Sequence, residues 1–333
     1  MSSIDTDRSS LLDRIYNINA SDFATVAMEV WRYQYFYNGL YRAYCHLMGR
    51  TSTNVSTPEE IPFLPIQLFK DHEVITGDWQ TEKSFRSSGT TDSIRSQHII
   101  RDLSWYHSIA ENCFKEHLGA PADYHWIGLL PSYLERDDSS LIEMVRYFIE
   151  LNPDHEGSFY PAINSDLLHV LRQNYTSKKK TILIGVSFAL LELFASRIIP
   201  IWDELIVIET GGMKGRGPEI TRDELHQKLK TNHPALRIVS EYGMTELLSQ
   251  AYMITDHFRP GPTMKIFIRD ISDPLSILPF GQRGAVNIID LANLDSCTYI
   301  ATDDVGRVYE DGSFDILGRI DQSDLRGCNL LYT

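Results

Sequence analysis

Cysteine is scarce in this sequence, and no pair of cysteines has the spacing of a metal or redox motif. The 333 residues include four, Cys45, Cys113, Cys297 and Cys328, without a Cys-x-x-Cys pair. Wide spacing of this kind argues against a disulfide-stapled domain and against a structural zinc site. A chain of this length can instead bury a substantial hydrophobic core.

Positive charge is also in deficit, because the formal net charge is −14. This argues against a nucleic-acid backbone or an anionic membrane as the main partner, and a local basic pocket for a small anion stays open. The polar start Met1–Ser10 lacks an apolar signal core, and no apolar run approaches the length of a membrane span. We therefore expect no membrane span and a cytoplasmic location.

The order of apolar segments predicts an α/β fold. The predicted helices are Ser21–Met48, Leu103–Leu118, Ser139–Leu151, Asn164–Tyr175, Phe188–Ser196 and Thr221–Lys230. The predicted strands are Glu73–Gly77, Lys83–Phe85, Tyr124–Leu130, Thr181–Val186, Glu204–Ile208, Leu236–Ser240, Lys265–Ile268, Gly284–Ile289, Tyr299–Thr302 and Phe314–Leu317. Alternation of short buried strands with helices is typical of a sandwich with a largely parallel sheet. We expect a flexible segment over 1–20, an α/β core over 21–250 and a β-rich subdomain with a mobile tail over 251–333.

Hydroxyl side chains surround one glycine in the stretch Phe85-Arg86-Ser87-Ser88-Gly89-Thr90-Thr91-Asp92. A loop of this composition can aim several N–H groups and hydroxyls at one anion. A solvated Ser/Thr turn is the alternative interpretation. It is not a Walker loop, because no Gly-Lys-Ser/Thr follows.

Glycine is concentrated in Gly211-Gly212-Met213-Lys214-Gly215-Arg216-Gly217, directly after a predicted strand. Such a backbone lets a flat or charged ligand approach closely, and Lys214 and Arg216 add positive charge. A plain flexible loop is the alternative.

Three further stretches combine carboxylates with groups that contact nucleotides. Tyr242-Gly243-Met244-Thr245-Glu246 offers a ring that can stack on a base and a carboxylate that can hold Mg²⁺. In Thr302-Asp303-Asp304 and in Gly318-Arg319-Ile320-Asp321, a carboxylate and an arginine can bind the hydroxyls of a ribose. Ordinary strand-to-turn connections are the alternative for each.

The turn Gly185-Val186-Ser187-Phe188-Ala189 joins a predicted strand to a helix, as a hydrolase nucleophile elbow does. A triad would add Asp203 or Asp256 as the acid and a histidine as the base, with His226, His233 and His257 as candidates. A capping serine at a strand end is the simpler interpretation.

Taken together and in order, these stretches resemble the adenylate-forming enzymes, which include acyl-CoA synthetases, peptide-synthetase adenylation domains and luciferases. Within that group the chain looks most like the acyl-protein synthetase (LuxE-like) branch, and the resemblance covers roughly residues 20 to 333. The additional segments that favour this branch are Ile61–Phe69, Pro131–Arg136, Gly211–Gly215 and Arg326-Gly327-Cys328. Any one motif is weak, but several in order are specific.

The resemblance implies the large N-terminal-type domain of these enzymes, with mixed sheets flanked by helices and a small β-rich subdomain. It implies ATP and Mg²⁺ as ligands and a carboxylic acid of the fatty-acid class as substrate. The implied phosphate ligands are Ser87, Ser88, Gly89, Thr90 and Thr91, and Thr245 is implied at the α-phosphate. The implied adenine and ribose residues are Gly211, Gly212, Tyr242, Gly243, Asp304 and Arg319. Glu246 is implied as the metal ligand and Lys214 as the residue that steadies the substrate carboxylate.

The same resemblance implies that the enzyme is acylated on Cys328 and passes the acyl group to a reductase or other acceptor protein. The alternatives are an acyl-CoA or acyl-carrier ligase, a degenerate nucleotide-binding scaffold subunit, and an ATP-independent acyl hydrolase that uses Ser187. Two departures stand out, since Asp92 follows Thr91 where the family continues with Gly and then Lys, and Asp303 replaces Gly in Thr-Gly-Asp. The mobile C-terminal domain with its catalytic lysine is expected to be absent, a feature that the acyl-protein synthetases share.

Overall fold

The computed structural model describes residues 3–88, 95–131, 137–153, 157–195, 199–211 and 220–320. The helices are α1 Ser3–Tyr16, α2 Phe23–Tyr37, α3 Gly39–Leu47, α4 Leu68–Asp71, α5 Leu103–Leu118, α6 Ser140–Leu151, α7 Ser165–Ser177, α8 Ser187–Ala195 and α9 Arg222–Lys230. The strands are β1 Leu64–Pro65, β2 Lys83–Arg86, β3 Gln97–Ile100, β4 His125–Leu129, β5 Gly157–Tyr160, β6 Thr181–Val186, β7 Leu205–Thr210, β8 Arg237–Tyr242, β9 Ala251–Met253, β10 Phe258–Pro260, β11 Met264–Arg269, β12 Gly284–Asp290, β13 Tyr299–Val308 and β14 Phe314–Arg319. None of these helices is long and apolar enough to cross a membrane.

The chain divides into two compact units, and both are discontinuous in sequence. The first unit is Met1–Cys113, Gly243–Gln250 and His257–Thr333, and the second is Phe114–Tyr242 with Ala251–Asp256. This division differs from the predicted boundary near residue 250, because the N-terminal third of the chain groups with the β-rich C-terminal part. The mixed α/β class predicted from the sequence is confirmed.

The first unit contains an antiparallel sheet in the order β11-β12-β13-β14-β10, with β1 parallel to β13. Strands β2 and β3 form a separate antiparallel hairpin. The register of β13 and β14 sets Asp304 opposite Arg319. The sheet therefore brings together two of the motifs singled out in the sequence.

The predicted helix Ser21–Met48 is interrupted at Asn38, which separates α2 from α3. Asn38 has an extended backbone (φ −107°, ψ 103°) and its side chain accepts the Tyr41 N–H as the N-cap of α3. Its amide nitrogen donates to the Ser296 carbonyl at 3.0 Å. This contact with a residue 258 positions away helps to hold the extended Asn38 backbone, and local propensity does not show it.

The segment 1–20, expected to be flexible, contains helix α1. Leu11 and Ile15 are buried in the first unit. Arg8 donates from Nε and Nη2 to both carboxylate oxygens of Asp295, each at 2.6 Å. Burial and a bidentate ion pair fix this helix. Helix α1 and these contacts differ from the flexible segment expected over residues 1–20.

The predicted strand Glu73–Gly77 is not formed. The Thr76 N–H donates to the Asp295 carbonyl and its hydroxyl donates to the Ser296 carbonyl, at 2.8 and 2.6 Å. These bonds go to a turn and not to a neighbouring strand, so the segment stays irregular.

The second unit holds the sheet β9-β8-β7-β6-β4-β5, parallel except for the antiparallel pair β8–β9. Every residue of β6 and β7 is buried, as expected of parallel strands covered on both faces. The core of the unit includes Ile127, Leu129, Leu183, Leu190, Leu193, Val207 and Leu225. The parallel order, confirmed here, brings the carboxyl ends of β6, β7 and β8 to one edge of the sheet. Ser187 follows β6, Gly211 follows β7, and Tyr242 is the last residue of β8.

Candidate functional site

The hydroxyl loop begins at the end of the β2–β3 hairpin. The Ser87 N–H donates to the Ser96 carbonyl, and the Ser96 N–H donates to Ser87 Oγ, both at 3.0 Å. These two bonds close the base of the loop, and Ser88 is exposed beyond it. Gly89, Thr90 and Thr91 lie outside the described residues.

The carboxyl group of Glu246 lies beside the base of this loop. Glu246 is only 5% exposed, and burial raises its pKa. A hydrogen bond from the Ser96 side chain and the charges of Arg319 and Lys70 act in the opposite direction on the pKa. The structure therefore joins the Ser/Thr loop to the Thr-Glu motif through Ser96.

Two side chains that sequence reasoning missed hold the backbone of this Thr-Glu motif. His98 Nδ1 lies 2.9 Å from the Thr245 carbonyl, and the Asn293 amide donates to the Glu246 carbonyl at 2.8 Å. Because a carbonyl only accepts, His98 carries its proton on Nδ1 and accepts at Nε2 from the Ser296 hydroxyl, 2.8 Å away. Burial lowers the pKa of His98 to about 4, so the ring is neutral.

A third missed residue, Asp290, holds the segment that follows. Its Oδ2 accepts the N–H groups of Leu248 and Ser249, at 2.8 and 3.0 Å. Its Oδ1 accepts the Ser249 hydroxyl at 2.6 Å. No local pattern identifies these partners, because they are 41 and 42 residues apart in the chain.

The predicted ribose residues form an ion pair. Arg319 Nε lies 3.2 Å from Asp304 Oδ1, and the arginine side chain is 80% exposed while that of Asp304 is 9% exposed. The Asp304 N–H donates to Thr302 Oγ1 at 3.1 Å. The backbone of Asp304 is thus held by its own strand, its carboxylate is paired with Arg319, and the exposed guanidinium is open to a ligand.

Asp303, which departs from the family pattern, has a structural partner. Its Oδ1 accepts a hydrogen bond from the Gln67 amide, just before α4. The Ile66 N–H donates to the Ala301 carbonyl at 2.9 Å. The aspartate therefore ties the start of α4 to β13.

In the second unit, the ends of β7 and β8 carry two carboxyl groups. The Thr210 hydroxyl donates to Glu241 Oε2 at 2.6 Å. Burial, and the neighbouring charge of Glu209, raise the pKa of Glu241 to about 7. Gly211 has φ +76°, a conformation that favours glycine. Tyr242, largely buried, ends β8.

The geometry at Ser187 does not form a hydrolase triad. Its hydroxyl donates to Glu209 Oε2 at 3.5 Å. His226, one of the candidate bases, lies 3.2 Å from Ser240 Oγ and 3.8 Å from Glu209 Oε1. A nucleophilic serine requires a base within hydrogen-bond reach, and Ser187 has a carboxylate partner in that place.

Several predicted site residues lie outside the described residues, namely Gly89, Thr90, Thr91, Gly212, Lys214 and Cys328. Cys45, Cys113 and Cys297 are buried and free. Burial raises the pKa of both Cys45 and Cys113 to about 12. Their thiols are poor nucleophiles.

A protein metal cage is absent from the described part of the chain, where no three His, Cys, Asp or Glu side chains converge. Mg²⁺ that is bound mainly through nucleotide phosphates needs only one or two carboxylates. Glu246, buried beside the loop base, fits that requirement as a single ligand.

No family model matches the chain. A search of curated proteins finds similarity to the long-chain-fatty-acid–luciferin-component ligase of Vibrio harveyi, 23% identical over 330 residues that cover 90% of this chain and 84% of the relative. The resemblance to the LuxE-like branch, drawn from the motifs, is confirmed by this relative.

Among solved structures, an open conformation of 2-hydroxyisobutyryl-CoA ligase in complex with 2-HIB-AMP and CoA aligns with a TM-score of 0.65 and 12% identity, covering 93% of this chain and 78% of that one. ATP-bound MatB from Rhodopseudomonas palustris aligns with a TM-score of 0.52 and 16% identity, over 75% of this chain. The chain spans about half the length of MatB, 49%. These alignments show the fold.

Proposed function

Since the chain has the fold of the adenylate-forming enzymes, we propose that it activates a carboxylic acid with ATP and transfers the acyl group to a thiol. The observation that carries the proposal is the position of Ser96, which joins the base of the Ser/Thr loop to the buried carboxyl of Glu246. A second observation supports the proposal, because a long-chain-fatty-acid–luciferin-component ligase is similar to 90% of this chain.

The nucleotide is bound by residues from the predicted motifs. Ser87, Ser88, Gly89, Thr90 and Thr91 donate hydrogen bonds to the β- and γ-phosphates. Asp304 binds the ribose hydroxyls, with Arg319 assisting from the opposite strand. Tyr242 and Gly243, with Gly211 and Gly212, contact adenine.

The first half-reaction makes an acyl-adenylate. A carboxylate oxygen of the acid attacks the α-phosphorus, the bond to the bridging oxygen breaks, and pyrophosphate leaves with the electron pair. Thr245 contacts the α-phosphate and Lys214 steadies the incoming carboxylate. Charge develops on phosphate oxygens, so positioned donors and cations matter more here than an acid–base pair.

Glu246 would hold the Mg²⁺ that accompanies ATP in this proposal. The ion would supply charge neutralisation on the phosphate oxygens. The carboxyl group of Glu246 would have to be ionised to hold Mg²⁺. The raised pKa of Glu246 opposes ionisation, while Ser96, Arg319 and Lys70 favour it.

The second half-reaction transfers the acyl group to Cys328. The thiolate attacks the acyl carbonyl, and AMP leaves as the carbon–oxygen bond to the phosphate breaks. Arg326 favours the thiolate by its charge. The buried Cys45, Cys113 and Cys297 do not compete. The acyl-enzyme then serves an acyl reductase or another acceptor protein, in a cytoplasmic setting.

Covalent labelling tests the transfer step. Wild-type protein incubated with ATP and a labelled acid is expected to carry label that hydroxylamine removes, as a thioester does. Cys328→Ser is expected to lose this label while it keeps acid-dependent pyrophosphate exchange. Cys45→Ala, the thiol control, keeps both. Label that survives in Cys328→Ser would refute the terminal nucleophile, and an acyl-CoA product formed only with added coenzyme A would favour the acyl-CoA ligase instead.

A further inference from the structure

The phosphates of ATP carry about four negative charges, and the hydroxyl loop offers them no lysine. Between Ser87 and Ile94 the charged residue is Asp92. Arg86 and Arg95 flank the loop, and both already make interactions of their own. A further cation close to Glu246 is therefore needed for the proposed chemistry.

Helix α4 is fixed against the strand that carries the ribose motif. Strand β1 runs parallel to β13, with Pro65 paired to Ala301. The Gln67 amide then donates to the Asp303 carboxylate. These contacts set the start of α4 next to Asp304.

The other side of α4 is fixed against the histidine that holds the Thr-Glu motif. Phe69 is fully buried. Its ring meets the His98 ring edge-on, with centroids 5.7 Å apart and planes at 84°. His98 in turn contacts the Thr245 carbonyl at 2.9 Å. Helix α4 is thus anchored both to the ribose motif and to the metal-binding motif.

Lys70 follows Phe69 on this anchored helix and is exposed. Phe69 contacts the histidine that holds the Thr245 carbonyl, so Lys70 lies near the Thr-Glu motif. Arg319, the other basic side chain of these motifs, is paired with Asp304 at 3.2 Å. Within the described part of the chain, no ion pair is seen for Lys70.

We propose that Lys70 is a catalytic residue whose ammonium group binds the β- and γ-phosphates of ATP beside Glu246. The inference rests on the proposed adenylation. Lysine suits this place because its ammonium group is a compact point charge on a flexible side chain. The ammonium can therefore stay in contact with the phosphate oxygens as negative charge develops on the leaving pyrophosphate. The anchors on Gln67 and Phe69 hold its backbone, so its reach is set by the side chain alone.

The test compares Lys70→Met with Lys70→Arg and with a control, Lys228→Met, which removes a lysine from the exposed face of α9. Binding of AMP and of a non-hydrolysable β,γ-imido analogue of ATP is measured by calorimetry with Mg²⁺. Acid-dependent pyrophosphate exchange gives kcat/KM for ATP.

Lys70→Met is expected to bind the ATP analogue at least ~10-fold more weakly and to lose roughly 100-fold in kcat/KM, while its affinity for AMP is unchanged. Lys70→Arg recovers part of both losses, and Lys228→Met matches wild type. A purely structural role would weaken AMP and the analogue alike. The inference would be overturned if Lys70→Met bound the ATP analogue as tightly as wild type does. It would also be overturned if the variant lost affinity for AMP and for the analogue by the same factor.

Failure of the proposed adenylation would be seen in the wild-type protein, and not in the comparison of the Lys70 variants. Wild-type protein that binds the analogue but exchanges no pyrophosphate with any acid would overturn the adenylation, and the binding comparison would still decide the role of Lys70. Wild-type protein that binds neither nucleotide would overturn both.

Discussion

Glu209 and Glu241 place two carboxyl groups at the ends of neighbouring strands in the second unit. Glu241 accepts a short hydrogen bond from Thr210, at 2.6 Å, yet its pKa is raised from 4.5 to about 7. Desolvation therefore outweighs the hydrogen bond. A carboxyl group in this state is protonated more easily in the folded protein than in the unfolded chain.

This shift gives a pH-dependent stability whose sign can be stated. Below about pH 4.5 Glu241 is protonated in both states, and above about pH 7 it must ionise in the folded protein against the cost of burial. Its contribution is favourable at low pH and is lost as the pH rises through that window.

We expect Glu241→Gln to remove this dependence. The free energy of unfolding of the variant, relative to wild type, should increase between about pH 4.5 and about pH 7 and level off above it. Urea unfolding across this range measures it, with Glu192→Gln on the exposed face of α8 as the control. A variant-minus-wild-type difference that does not change with pH would contradict the assignment.

Single-residue patterns identified most of the candidate nucleotide contacts, and the structure explains one departure. Asp303 replaces the family glycine, and its carboxylate accepts from Gln67, which the sequence places 236 residues away. The sequence could show that the position is unusual. It could not show the partner, because that contact depends on β1 pairing with β13.

At the scale of elements, β3 positions the Thr-Glu motif through His98. The ring bridges the Thr245 carbonyl and the Ser296 hydroxyl, at 2.9 and 2.8 Å. Both contacts need the neutral ring with its proton on Nδ1, which the lowered pKa supplies. Loss of the ring leaves a buried carbonyl without its donor, a cost of about 1–3 kcal/mol.

We expect His98→Ala to lower the unfolding free energy by about 2–4 kcal/mol, since a cavity adds to the lost hydrogen bond. The displaced Glu246 should also raise the Mg²⁺ concentration that half-saturates pyrophosphate exchange. Chemical unfolding and a Mg²⁺ titration of exchange measure the two effects. His169→Ala, at an exposed position of α7, is the control. Reduced stability with an unchanged Mg²⁺ dependence would limit His98 to a structural role.

Apolar periodicity and capping residues predicted the helices whose bounds depend on local sequence. Helix α5 begins and ends as predicted, Leu103–Leu118, and the capping box Thr221–Glu224 opens α9. The contact of Asn38 with the Ser296 carbonyl, which helps to hold the break between α2 and α3, was missed because it joins distant parts of the chain. Asn293 and Asp290 were missed for the same reason, since their roles arise from contacts across the fold.

At the scale of the whole molecule, each of the two units is built from segments that are not consecutive in the sequence. Gly243–Gln250 belongs to the first unit although the strands on either side of it, β8 and β9, belong to the second. The sequence predicted the parallel strands and the β-rich part, because each follows from local periodicity. The discontinuous division could not be predicted, because it requires knowing which distant segments pair.

The central claim is that this chain forms an acyl-adenylate, and the most direct test is exchange of labelled pyrophosphate into ATP over a panel of carboxylic acids. We predict exchange that depends on one class of acid and on Mg²⁺. It should fall by roughly 100-fold in Glu246→Gln and stay unchanged in Glu59→Gln, an exposed carboxylate of the first unit. Folded, ATP-binding protein that exchanges no pyrophosphate with any acid would contradict the claim.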